Sequence, residues 1–93
     1  MSEQEIFRQA FLGLVSGLYQ TVMVQLGKSV NPGTGRVEEV ALEASRTTIE
    51  ILRMLRDRTI GNLSGEESRA LEAAITNAEL NFADEARKRR GGV

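Results

Sequence analysis

Cysteine, histidine and tryptophan are all absent from this chain, and its aromatic side chains are one tyrosine and three phenylalanines. Without cysteine there is neither a disulfide framework nor a thiolate metal site to brace a small fold. Without histidine the commonest transition-metal ligand and the commonest general base near neutral pH are missing. No arrangement of a nucleophile with its base stands out among the remaining residues. The expectation is a non-enzyme, with no catalytic, cofactor-binding or metal residue to assign.

Charge is also missing, locally, from the stretch "AFLGLVSGLYQTVMVQLG", residues 10–27, in a chain that is 27% charged overall. The chain has 93 residues, enough for one domain over 1–93. A domain of this size buries only about two-thirds of its unfolded surface, so a single-subunit core is thin and help from a second subunit is expected. The N-terminal "MSEQEIFRQ" is polar and mixed in charge where a secretory signal would be basic and then apolar, which points to a cytoplasmic protein.

Punctuation residues divide the chain into an all-α fold of three helices, at about 3–26, 37–59 and 64–88, forming a small bundle. Gly27 suits the left-handed position that ends the first helix, and "NPGT" has the Pro-then-Gly order of a type II turn, so residues 28–35 read as a loop. Gly61 is a second helix-ending glycine, and Ser64 with Glu67 fits the S-x-x-E capping box that opens the third helix. An Ala-, Leu- and Glu-rich run of good helix formers follows, to Lys88.

Projection at about 100° per residue shows how unequal the helices are. On the first, Phe7, Phe11, Leu12, Leu14, Val15, Leu18, Tyr19, Val22, Met23 and Leu26 fill half the circumference. Ala10, Gly13, Gly17, Thr21 and Val24 line an adjoining strip of small residues. A helix covering one face of a monomeric domain needs an apolar stripe of little more than about 100°, so two further helices cannot cover this one. The second helix is two-faced, with Val37, Val40, Ala41, Ala44, Thr48, Ile51, Leu52 and Leu55 inward; the third offers the ridge Leu71, Ala74, Ile75, Ala78 and Phe82.

Gly13 and Gly17 sharpen the inference. Each mid-helix glycine costs about 0.5–1 kcal/mol relative to alanine, a cost that a close helix crossing would offset. Ala10, Gly13, Leu14, Gly17, Leu18, Thr21 and Val24 are therefore the candidate oligomer interface, in a homo-oligomer for which a two-fold dimer is favoured. The G-x-x-x-G spacing also occurs in transmembrane dimers. The uncharged run, however, is at the lower edge of a spanning length, carries Gln9, Ser16, Gln20, Thr21 and Gln25, and has no aromatic belt, so a membrane role is not expected.

The net charge of -1 hides an asymmetry. Of twelve basic residues, Arg87, Lys88, Arg89 and Arg90 hold four, leaving eight against thirteen acidic residues and a net -5 over the first 86 positions. Residues 87–93, "RKRRGGV", read as a basic, flexible tail, and its four cations are the candidate anion-binding residues. The simpler role for them is to complement the dipole of a helix C-terminus. "NPGTGR" lacks the spacing of a phosphate-binding glycine loop, and Glu38-Glu39 and Glu66-Glu67 suit helix first turns better than acid-base catalysis.

Taken in order, the "LG" that closes the uncharged helix, then "NPGTG", then "TIEILRMLRDRTIGNLSGEE" resembles a small bacterial family, the domain of unknown function 1844. Asn31, Pro32, Thr34, Gly35, Ile49, Leu52, Leu55, Thr59, Gly61, Asn62, Leu63 and Glu67 sit on its motif positions, and the similarity runs from about Phe11 to Phe82. Glu50 stands in place of the family's usual Asp, Arg58 in place of Lys, and Ala41 where an Asp or Asn often caps the second helix, which leaves that helix starting anywhere from Arg36 to Ala41. The resemblance implies a small helical bacterial protein and supplies no catalytic residues.

The leading functional expectation is a non-enzymatic, self-associating helical protein that acts through contacts with other macromolecules, including a protein partner. The alternative is a nucleic-acid or ribosome-associated accessory protein using the basic C-terminal tail.

Overall fold

The computed structural model describes residues 2–91 and shows an all-α fold of three helices, with a short hairpin between the first two. The elements are α1 (Glu3–Gln25), β1 (Val30–Asn31), β2 (Arg36–Val37), α2 (Leu42–Arg58) and α3 (Gly65–Gly91). Ser2 opens α1, its hydroxyl accepting the Glu5 N–H at 3.1 Å, with Glu3 and Glu5 in the first turn where the helix dipole favours acids. Gly27, at φ +70°, closes it. The Lys28 N–H donates to the Met23 carbonyl and the Gly27 N–H to that of Val24, the paired bonds of a Schellman ending.

Residues 28–35 are not the plain loop expected. Val30 pairs with Val37 and Asn31 with Arg36 in an antiparallel ladder closed by a four-residue connection. Type II geometry would put positive φ on Gly33; the structure puts it on Gly35, at +72°. The Asn31 side chain explains the difference, because its oxygen accepts the Gly33 N–H at 2.8 Å while its backbone carbonyl accepts from Gly35 at 2.7 Å.

The second helix begins at Leu42 and not near residue 37. Arg36 and Val37 are committed to the ladder, and the Ala41 N–H donates to the Gln25 carbonyl at 2.7 Å, holding the approach to α2 against the end of α1. Ala41 itself has no side-chain oxygen with which to cap. At the other end Thr59 is the C-cap, and Gly61 (φ +83°) lies one residue past the helix-ending position expected for it. There it completes a turn in which the Asn62 N–H donates to the Thr59 carbonyl.

The capping box expected at Ser64 is present in both directions: the Glu67 N–H donates to the Ser64 hydroxyl at 3.1 Å, and the Ser64 N–H to the Glu67 carboxylate at 2.8 Å. Ser64→Ala removes one of these bonds and is expected to cost about 1 kcal/mol. In a domain of this size that is a fall of about 4–8 °C in Tm, readable by calorimetry. An unchanged melting curve would show that the cap carries no stability.

The core is one cluster in which Val15, Val22 and Leu26 of α1 meet Ile49 and Leu52 of α2 and Leu71, Ala74, Ile75 and Ala78 of α3. The α3 ridge is the one its spacing defined. On α2 the inward stripe is Ser45, Thr48, Ile49 and Leu52; Ala41, Ala44 and Ile51, expected inside, are exposed, because the buried face is turned toward Ser45 and Ile49, where a serine is tolerated once its hydroxyl bonds within its own helix. Val37, also expected inside, is an exposed strand residue. The two buried hydroxyls are satisfied, Ser45 donating to the Leu42 carbonyl at 2.7 Å and Thr48 reaching the Gln25 side chain at 2.9 Å.

Ion pairs fix the relative direction of the helices. Arg8 near the start of α1 meets Glu66 near the start of α3 at 3.0 Å, while Lys28 just past the end of α1 meets Asp84 near the end of α3 at 2.8 Å. α1 and α3 therefore run parallel and α2 returns between their ends. The result is a slab of 52 × 28 × 16 Å whose radius of gyration, 14.7 Å, exceeds the roughly 12 Å of a compact chain of this length.

Candidate functional site

Val15, Val22 and Leu26 turn α1 inward, so the opposite side of this helix faces away from α2 and α3. Ala10, Gly13, Leu14, Gly17 and Thr21 lie there and are all exposed, and Ile6 and Phe7 extend the same face toward the N-terminus. Nothing within 4 Å would meet a Cβ added at Gly13 or Gly17. The Thr21 hydroxyl donates to the Gly17 carbonyl at 2.9 Å, so the polar groups of this strip are satisfied locally and its methyl and glycine surfaces are left outward. The face is apolar, uncharged from Gln9 onward and uncovered by the other described residues.

Two residues of the expected interface stand apart from that face. Leu18 and Val24 are half-buried, and Leu18 packs against the core. In exchange, Ile6 and Phe7 are half or more exposed (50% and 60%), beside Leu14 of the expected set at 49%. The helical projection places Phe7 on the inward half, but its direction lies well away from the line through Val15 and Val22. The missing signal was the centre of the buried arc: projection shows how wide the apolar surface is without showing which part of it the other helices take.

The second feature is the C-terminal end of α3. Arg87, Lys88, Arg89 and Arg90 are not a tail after a helix ending at Lys88, since α3 continues through them to Gly91; residues 92 and 93 lie outside the described residues. Pairs one turn apart hold this last segment. Arg87 bonds Asp84 at 2.8 Å, Lys88 bonds Glu85 at 3.0 Å, and Arg89 bonds Glu85 at 2.9 Å, all with the favourable dipole sign. Glu85 is only 6% exposed and is answered by Lys28 as well, at 3.4 Å.

These contacts set the carboxylates' chemistry. Hydrogen bonds from Lys28 and then Lys88 bring Asp84 down to about 2, and Glu85 is held below its ordinary value chiefly by the Lys88 hydrogen bond, against burial. A carboxylate depressed in the folded state contributes stability that is complete above its unfolded value, near 4, and is lost as the pH falls through about 2. Asp84→Asn should therefore lower Tm at pH 7, and the gap to the wild type should close between about pH 4 and pH 2. A gap of constant size down to pH 2 would mean that the Lys28 and Lys88 contacts do not set its charge state.

The outer face of α1 and the cation-rich end of α3 are the two surface features of a small three-helix protein whose first and third helices run parallel. The family model "Domain of unknown function (DUF1844)" matches residues 8–84, most of the chain, and the protein belongs to that family. No curated protein and no solved structure matches it. Among the described residues no helix is long and apolar enough to cross a membrane.

Proposed function

We propose that the protein is a non-enzymatic homodimer that acts through contacts with other macromolecules, and that the outer face of α1 is its subunit interface. The observation that carries this reading is the apolar strip from Ile6 to Thr21, exposed along one side of a helix whose other side already fills the core. A second copy is the occupant that fits best. The strip is uncharged from Gln9 onward, so it offers nothing to recognise a charged partner, and its glycines permit the close backbone approach that a two-fold crossing needs.

Surface area supports the same occupant. The chain exposes 6073 Å², where a compact monomer of its 10.2 kDa mass exposes about 5,300 Å². The excess of about 750 Å² is spread over the elongated slab and leaves room for the roughly 800 Å² that each partner of a standard interface buries. A chain with no cysteine and no histidine has few routes to catalysis, which favours a contact role. The nucleic-acid or ribosome reading has less support: four consecutive helical cations project around the whole circumference, and three of them are paired with Asp84 or Glu85.

Sedimentation equilibrium of the untagged protein tests the proposal. A mass of twice the chain, lost on substitution at Gly17, is expected; a monomer at every concentration up to about 100 µM, far above the Kd of a standard interface, overturns it.

A further inference from the structure

At the end of the molecule opposite the α1 N-terminus, the first turns of α2 and the last turns of α3 enclose an open groove of about 520 Å³. Leu42, Phe82, Ala83 and Ala86 form its floor, and three guanidinium groups, Arg46, Arg89 and Arg90, stand on its rim. It is separate from the outer face of α1 and does not depend on self-association.

The rim is short of partners. Arg46 lies over the Phe82 ring at 5.1 Å and approaches only the exposed Glu43, at 3.6 Å. Arg89 bonds Glu85 through one terminal nitrogen, and its other donors have no partner among the described residues. Arg90 forms no ion pair among the described residues. A guanidinium stacked on a ring keeps its edge N–H groups for a planar anion, and a carboxylate can accept two of them at once.

We infer that this groove binds an acidic, amphipathic segment of a partner protein, with an apolar side chain on the Leu42–Phe82–Ala86 floor and flanking carboxylates on Arg46, Arg89 and Arg90. Charge complementarity selects the anion. Floor chemistry selects what accompanies it: a bare anion leaves Leu42 and Ala83 wet, whereas a leucine or phenylalanine side chain removes them from water. Single-stranded nucleic acid fits less well, because it gains affinity by stacking bases on aromatic faces, and one face of Phe82 is already under Arg46.

The test is fluorescence anisotropy with the full chain and a labelled peptide of about ten residues alternating glutamate and leucine, at low salt, where charge-assisted bonds are read most clearly. Saturable binding is expected at one peptide per chain. Arg46→Gln and Arg90→Gln are each expected to weaken it about tenfold, the worth of one charge-assisted hydrogen bond. Arg87→Gln, which removes the same charge from the same helix outside the groove, should leave it within about twofold. Circular dichroism checks the fold of each variant, and Arg90, exposed near the helix end, keeps the test available if Arg46→Gln unfolds. Any of four results overturns the inference: no saturable binding, an equal loss with Arg87→Gln, equal affinity for polyglutamate of the same charge, or tighter Arg46- and Arg90-dependent binding of single-stranded RNA or phosphatidylglycerol vesicles.

Discussion

Gly17→Leu is expected to turn a dimer into a folded monomer. Within its own chain the position is open, with nothing within 4 Å of an added Cβ, and it lies on the face directed away from α2 and α3. Helix propensity alone should make the isolated chain slightly more stable, by up to about 1 kcal/mol relative to glycine. Across a two-fold crossing the same leucine enters packed space twice. At about 1–3 kcal/mol per overpacked site, the dimer loses about 2–6 kcal/mol, which raises Kd by well over tenfold.

Mass and stability thus move in opposite directions, a signature that separates an interface residue from a core residue. Gly17→Ala should show the same separation in milder form, a small gain in monomer stability with a weaker assembly. Sedimentation of the three proteins, with urea titrations at low concentration, reads both quantities. A Gly17→Leu protein that keeps the wild-type mass would remove α1 from the interface.

Where sequence reasoning succeeded, the deciding residues were local. Ser64 and Glu67 are three positions apart and need only each other to form a capping box, and Gly27 needs only its own freedom at positive φ to end α1. The Leu71-to-Phe82 ridge was legible for a similar reason, since its i, i+3 and i+4 spacing leaves one choice of inward face.

The start of α2 was not legible in that way. It depends on the pairing of Val30 with Val37 and on the Ala41-to-Gln25 bond, both of which join residues far enough apart that no periodicity marks them. The continuation of α3 through Arg90 depends on Asp84 and Glu85 each answering several cations, including Lys28 from the far end of α1. Composition alone suggested a fraying tail; ion pairs one turn apart, closed by a tertiary one, hold a helix. The candidate interface falls between these cases. Its small-residue strip could be read from spacing, but Ile6 and Phe7 join it and Leu18 leaves it only because α2 and α3 take one particular part of the apolar arc.

Leu52→Ala should produce the largest loss of stability of any single substitution considered. Leu52 is fully buried in the cluster where α2 meets both parallel helices, and Leu26, Leu71 and Val22 of the same cluster are among the most buried side chains. Truncation to alanine removes the transfer free energy of the lost methyl groups and leaves a cavity, together about 2–5 kcal/mol. A domain this small has a total stability near the lower end of about 5–15 kcal/mol, so a large part of it goes. The helices cannot close the gap easily, because Thr48–Gln25 and Arg53–Glu79 bonds hold α2 at fixed distances from α1 and α3. If the chain is a dimer, unfolding is coupled to dissociation, and the variant's Tm should rise with protein concentration more visibly than that of Gly17→Leu, whose monomer has no partner to lose. Calorimetry over a hundredfold range of concentration measures both effects. A Leu52→Ala protein that melts within a few degrees of the wild type would place the centre of the core elsewhere than at the meeting of the three helices.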